Sequence, residues 1–324
     1  MARPVTVIVD TIYRKAPEIF DGMDFSELKV VPAVEDEIAA AVEGSGAFAV
    51  ILDAQAYQGA LYDKMPEGGL LARFGVGYDG IDFVRAGQRK LVVTNTPDVL
   101  ETTVAESTVF LAAEVLRRMG TANKDLKGGI WKTFLGEDLG GKTWAIIGLG
   151  RIGTALSRML TFGFGVRVYG VKSDLSDSER LKERSGAVLI TDRFEQVASQ
   201  SDIVSLHLPV TPSTRHFMDQ NKLGQLKQGA VLINTGRGSL VDEIALYDAV
   251  TEGRLAGVGL DVFEYEPYRP VNPEKDLRTL DKAVLTPHIS SSTHQCAVRM
   301  ARRVIDNIGY ALKNDYGRMD IVNP

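Results

Sequence analysis

AIIGLGRIG, residues 145–153, is the stretch that decides the fold. Its glycines, Gly148, Gly150 and Gly153, follow an apolar run and open an amphipathic one, TALSRMLTFGF at 154–164. In a strand-turn-helix context Gly148 permits the tight turn, Gly150 lets backbone approach a pyrophosphate, and Gly153 lets helix pack close on strand. The first N–H groups of that helix, at Arg151 and Ile152, together with its positive dipole end, favour a bound phosphate. The bare pattern also fits ordinary glycine-rich turns, and its flanks are what turn it into a predicted dinucleotide site.

Outward from this unit, short β-branched runs alternate with longer amphipathic stretches, the pattern of α/β proteins with parallel sheets. A first set of strands is predicted at 5–9, 48–52, 71–74 and 91–94. A second set is predicted at 144–147, 166–169, 203–206, 231–233, 257–260 and 284–285, and six such strands suit a doubly wound sheet. Residues 101–119, ETTVAESTVFLAAEVLRRM, have apolar positions at helical spacing with Arg117 and Arg118 at the C-terminal end, and predict a long helix joining two domains. A further helix is predicted at 291–312, starting at Ser or Thr residues that can cap it.

The 324 residues, 44% of them hydrophobic, supply two sizeable cores. A net charge of −5 with no concentrated basic run argues against a nucleic-acid partner. Cys296 is the only cysteine, which excludes an intramolecular disulfide and a cysteine-based metal centre and suits a reducing compartment. No stretch reaches the run of about 18 apolar residues expected of a membrane span. The expectation is a cytoplasmic protein without a membrane partner.

The strand after the fingerprint ends in VRVYGVKSD, residues 166–174. An NAD site commonly has an acid here for the ribose 2′-OH. Lys172 and Ser173 stand there instead, suited to a 2′-phosphate, so NADP is favoured over NAD. Two alternatives stay open: Lys172 as a solvated loop lysine, or Asp174 reaching back to the ribose.

Downstream, INTGRGSLVDE (233–243), GLDVFEYEP (259–267) and LTPHISSST (285–293) carry Arg237, Glu266 and His288. Arginine offers a planar fork for a carboxylate, whereas a carboxylate and an imidazole can form a proton-transfer pair. Taken singly, each also fits a bland role: a structural ion pair for Arg237, a helix cap or surface residue for His288. Asp79 and Asp82 resemble a metal pair but read as turn and cap residues, and no metal is predicted.

These strings, in order with FGVGYDGID (74–82), NTP (95–97), TTVAE (102–106), GLGRIG and LHLPVTPST (206–214), resemble the D-isomer-specific 2-hydroxyacid dehydrogenase family. The resemblance implies two Rossmann-like doubly wound α/β domains. A dinucleotide domain (102–290) would be inserted in a discontinuous substrate domain (1–101 and 291–324), usually in a homodimer. It implies hydride transfer between NAD(P)H and a small 2-oxo or D-2-hydroxy acid. Arg237 would bind the substrate carboxylate, with the backbone of Val76 and Gly77 opposite it. His288 would be the acid and base, its pKa raised by Glu266. Glu264, two residues earlier, is assigned no part. His207, Pro209, Thr214, Thr235, Gly236 and Asp261 would contact the cofactor, Asp261 at the nicotinamide carboxamide. Gly236, where the family often has Ser or Ala, is expected to add flexibility.

The architecture also leads us to expect cofactor binding first and domain closure before hydride transfer. The loops at 11–13 and 53–57, with a partner subunit, are expected to select the substrate side chain. HISSSTH resembles the glyoxylate and hydroxypyruvate reductase branch, and VFEYEP the D-lactate dehydrogenases. A chain ending at Pro324 disfavours a regulated 3-phosphoglycerate dehydrogenase. Phosphite-type oxidation on the same residues, or a non-enzymatic NAD(P)-sensing corepressor, are the alternatives to a 2-oxo acid reductase.

Overall fold

The structure, a computed structural model, describes residues 3–323. The chain divides into two compact units, Met1–Leu100 with Ser292–Pro324, and Glu101–Ser291.

The first unit is built on a parallel sheet of β1 (Val5–Val9), β2 (Glu27–Val31), β3 (Ala49–Leu52), β4 (Leu70–Arg73) and β5 (Val92–Thr94), in the order β2-β1-β3-β4-β5. Strand order reverses between β1 and β3, where doubly wound sheets open a crevice at their C-terminal edge. The inner strands are apolar because helices cover both faces of such a sheet, and Val7, Ile8, Val50, Ile51 and Leu71 are fully buried. Asp82 caps the helix Phe83–Gln88 by accepting from Val84 N and Arg85 N. The helix His294–Leu312 returns to this unit, and its cap Thr293 accepts from Cys296 N at 3.2 Å.

The second unit carries seven parallel strands: β6 (Thr143–Ile147), β7 (Arg167–Val171), β8 (Leu189–Thr191), β9 (Ile203–Leu206), β10 (Ala230–Asn234), β11 (Leu255–Leu260) and β12 (Ala283–Leu285). Their order, β12-β11-β10-β9-β6-β7-β8, places the reversal between β6 and β9. This is the dinucleotide-binding winding with one strand added beyond β11.

Two strands escaped the sequence reading, β2 and β8, and both lie at sheet edges. β2 is ELKVV with only Val31 buried, and β8 has three residues, so neither shows the apolar run that marks an inner strand. The predicted helix at 101–119 ends at Arg117, because Arg118 turns to φ +53°, and a second helix follows at Met119–Lys127. The first of these packs within the second unit. Methyl groups at Gly257 and Gly259 would come within 2.7 Å of Val115 Cγ1 and Leu111 Cγ, so two glycines in β11 make room for it. No helix among the described residues is long and apolar enough to cross a membrane.

Candidate active site

The candidate residues of the second unit leave the C-terminal ends of its strands. Gly148 follows β6, Lys172 β7, His207 β9, Thr235 to Arg237 β10, Asp261 to Glu266 β11, and His288 β12. Parallel strands point the same way, so one edge of one sheet gathers residues spread over 140 positions of sequence.

At the switch point, Gly148 has φ +101°, a conformation side chains rarely adopt, and a methyl there would come within 2.6 Å of the His207 carbonyl oxygen. Gly150 caps the helix Arg151–Arg158. A methyl at Gly153 would overlap the Gly148 carbonyl, so this glycine is what allows helix and turn to touch. The three glycines therefore leave the cradle a pyrophosphate requires, facing a helix N-terminus. His207 Nε2 lies 3.0 Å from Ser205 Oγ, which also accepts from Trp144 Nε1 at 2.9 Å. Burial pushes the imidazole down to about 4, so His207 is neutral at ordinary pH. In the same loop Thr214 Oγ1 donates to the Pro209 carbonyl at 2.7 Å.

Lys172 is neither free nor merely solvated. Its Nζ lies 2.5 Å from Asp177 Oδ1, an acid further along the loop than the sequence reading weighed. Ser173 is exposed, and Asp174 folds back to accept from Ser176 N at 2.9 Å.

After β10, Asn234 organises the turn: its Oδ1 accepts from Gly236 N at 3.0 Å and its Nδ2 donates to the Arg237 carbonyl at 2.8 Å. Arg237 Nη1 donates to the Gly236 carbonyl at 2.7 Å, and Thr235 Oγ1 lies 2.9 Å from Thr108 Oγ1. Gly236 thus has both backbone polar groups hydrogen-bonded within the turn, and a methyl on it would sit 3.0 Å from the Leu206 carbonyl. At Gly238 a methyl would overlap the Phe263–Glu264 peptide, so the arginine turn and the segment leading to Glu266 lie backbone against backbone.

Glu266 and His288 are brought together, with Glu266 Oε2 2.7 Å from His288 Nδ1 and Oε1 accepting from Phe263 N at 3.1 Å. Both side chains are partly open, at 36% and 38% exposure. Burial works to raise the Glu266 carboxyl, but the His288 hydrogen bond and charge, the Phe263 N–H and Arg237 outweigh it and hold it below its usual 4.5. An ionised carboxylate only accepts, so Nδ1 carries the donated proton and Nε2 is left as the exchangeable position.

Asp261 is fully buried, and both its oxygens are used inside the protein. Oδ1 accepts from Thr286 Oγ1 at 2.6 Å and Ile289 N at 2.8 Å, and Oδ2 accepts from Ser290 N at 2.8 Å. His288 N donates to the Asp261 carbonyl at 2.8 Å. Asp261 therefore grips the segment carrying His288, whose φ of +53° is costly for a non-glycine residue and is held by these contacts. Sequence reasoning missed this role, which no local motif encodes.

In the first unit, Val76 and Gly77 follow β4. The Val76 carbonyl accepts from Asn95 Nδ2 at 2.8 Å, and Gly75, at φ +135°, donates its N–H to Thr96 Oγ1 at 3.0 Å. At the β1/β3 reversal Thr11 Oγ1 lies 3.4 Å from Asp53 Oδ2, and Tyr57 donates to Asp53 Oδ1 at 2.9 Å. The two loops expected to select substrate thus meet each other.

Residues 109–290 match the pattern of the D-isomer specific 2-hydroxyacid dehydrogenase, NAD binding domain. A glyoxylate reductase of Korarchaeum cryptofilum is 39% identical over 254 residues, covering 76% of this chain and 74% of the relative. A glyoxylate/hydroxypyruvate reductase B of an Enterobacter species is 35% identical over 271 residues, covering 82% and 81%. Among solved structures, an NADPH-dependent glyoxylate/hydroxypyruvate reductase of Sinorhizobium meliloti, in complex with NADP and malonate, superposes with a TM-score of 0.84. It is 31% identical and covers 99% of this chain and 97% of that one. The chain belongs to the D-isomer specific 2-hydroxyacid dehydrogenase family.

Proposed function

We propose that this protein is a reductase of small, unbranched 2-oxo acids, glyoxylate and hydroxypyruvate first among them, with NADPH as the favoured reductant. The observation that carries the reading is the 2.7 Å Glu266–His288 contact on the same sheet edge as the Arg237 turn and the fingerprint helix. Glyoxylate and hydroxypyruvate reductases among the relatives support the substrate class.

The glycine cradle at Gly148 to Gly153 and the neutral His207 beside it fit a dinucleotide, held further by Pro209, Thr214, Thr235 and Gly236, while buried Asp261 acts on the site by holding the His288 segment. When bound, its nicotinamide supplies the hydride. Arg237 holds the substrate carboxylate through paired N–H donors and draws charge toward the carbonyl. The backbone of Val76 and Gly77 serves the substrate in the same reading. His288 Nε2 gives a proton to the carbonyl oxygen during reduction and takes it back in oxidation, while Glu266 holds Nδ1 and compensates the imidazolium.

Lys172 and Ser173 support the NADPH preference, with Asp177 competing for the Lys172 ammonium. The lone cysteine supports a cytoplasmic enzyme. We also infer a homodimer, because a run of apolar side chains after the helix Glu101–Arg117 is left uncovered.

A spectrophotometric panel of glyoxylate, hydroxypyruvate and pyruvate, each with NADPH and with NADH, tests reaction and cofactor together. Oxidation of NADPH with glyoxylate or hydroxypyruvate at the highest kcat/KM is expected. Tight dinucleotide binding with no turnover on any 2-oxo acid would replace the reductase by a sensor.

A further inference from the structure

Glu264, two residues before Glu266, is tied to two other loops of the second unit. Its carboxylate pairs with the Arg215 guanidinium, and its Oε2 lies 3.3 Å from His216 Nε2. Its N–H donates to Oε1 of buried Glu243 at 2.7 Å. Against its other face lies Gly238, whose added methyl would overlap the Phe263–Glu264 peptide. The Arg215 segment is in turn stitched to the arginine turn: His216 N donates to the Ser239 carbonyl at 2.7 Å, and Met218 N to the Leu240 carbonyl at 2.9 Å. The Glu264 side chain is only 11% exposed.

Three loops with separate tasks meet at this residue, one at its side chain and one at its backbone. One follows His207 to Thr214, one carries Arg237, and one carries Glu266. We propose that Glu264 is a positioning residue that locks these three loops into one unit, its side chain through Arg215 and His216 and its N–H through Glu243, so that the cofactor loop and Glu266 keep a common register. The part concerning catalysis rests on the reductase reading above, and the mechanical part does not. Loss of the Glu264 anchor loosens the peptide next to Phe263, whose N–H Glu266 Oε1 accepts, and a displacement of about 1 Å in a reacting group can cost about 10²-fold in rate.

The test uses the full chain with Glu264→Ala, Glu264→Gln, Arg215→Ala and the double variant Arg215→Ala/Glu264→Ala. Three quantities are read: amide hydrogen exchange of the cofactor-free protein, the NADPH dissociation constant by fluorescence titration, and kcat. In Glu264→Ala, exchange at 261–266 and 215–218 should quicken by about tenfold or more while β9 and β10 keep their protection, which separates local release from global unfolding. NADPH should bind several-fold more weakly, and kcat should fall by about 10- to 100-fold. Glu264→Gln keeps an oxygen toward Arg215 and should recover most of each loss. The double variant should lose no more than Glu264→Ala alone, as expected of groups acting as one. Unchanged exchange at 261–266 in Glu264→Ala, or additive losses in the double variant, overturns the proposal. If exchange and NADPH binding respond as expected while the wild-type chain reduces no 2-oxo acid, the reductase reading fails and the lock stands.

Discussion

Arg237 and His288 are given different tasks, and their variants should fail differently. Arg237→Ala removes a charge-assisted fork used in both ground and transition states, so kcat/KM should fall steeply with a large rise in substrate KM. His288→Ala removes proton transfer, and kcat should fall by about 10² to 10⁴ with a smaller change in KM. Steady-state kinetics on the preferred 2-oxo acid checks both, and near-normal turnover in either removes that residue from the site. Glu266 gives a sharper test because its neighbour Glu264 is chemically identical. Glu266→Gln should move the pH dependence of turnover, since Oε2 is the atom facing His288 Nδ1, whereas Glu264→Gln should leave the profile in place. The same group links pH to stability. Its carboxyl sits below the usual 4.5, so its contribution is complete above that unfolded-state value and is lost as pH falls through the lower folded value. The Tm gap between wild type and Glu266→Gln should therefore be wider at about pH 6 than at about pH 3.5. A gap independent of pH would mean that the pair carries no linked proton.

Among elements, the segment after β12 depends most on one distant side chain. Asp261, at the end of β11, accepts from Thr286, Ile289 and Ser290, while its carbonyl holds His288 N. In Asp261→Ala the buried Ser290 N–H loses its acceptor at a cost of about 1–3 kcal/mol, the part-exposed Thr286 and Ile289 donors lose theirs, and of these contacts the left-handed backbone at His288 keeps only its bond to the Asp261 carbonyl. Tm should drop and kcat should fall by about 10²-fold, read by thermal unfolding and turnover. Unchanged kcat per folded molecule would leave Asp261 a purely structural group. This dependence also shows where sequence reading ends. Inner strands such as AVIL at β3 and IVSL at β9 were legible because burial on both faces demands continuous apolar runs. Edge strands β2 and β8 were not, since an edge tolerates charge and brevity. Glu266 and His288 were legible through their strings, and they meet because neighbouring parallel strands end together. The grip of Asp261, the Lys172–Asp177 pair and the Glu264 lock were illegible because each joins positions whose proximity is created only by the folded loops.

For the whole molecule, the apolar surface beyond the helix Glu101–Arg117 sets the remaining question. The helix Met119–Lys127 buries no residue of its own, and the chain after it runs on through Ile130, Trp131 and Leu135. Trp131 is 87% exposed and Leu135 fully so, and Phe110, Met119 and Leu126 are also more than half exposed. Scattered exposed apolar residues are ordinary, but a tryptophan and several large aliphatics along one short stretch support the proposed dimer. A second copy is the economical partner, since an arm presented twice under two-fold symmetry can cover the same patch on each subunit. Light scattering should give a mass of roughly twice 35.3 kDa at micromolar concentration. Trp131→Ser combined with Leu135→Ser should shift that mass toward one chain. Its Tm should also become lower and less dependent on protein concentration than the wild type's, because folding is then no longer linked to association. The two tryptophans separate association from folding: Trp144 is fully buried in β6 and reports the core, whereas Trp131 reports the arm. Dilution of the wild type through the dissociation range should change Trp131 emission while a Trp131→Phe control, retaining Trp144, stays constant. A single-chain mass at all concentrations, or a double variant that still elutes as a pair, would move the interface away from this arm.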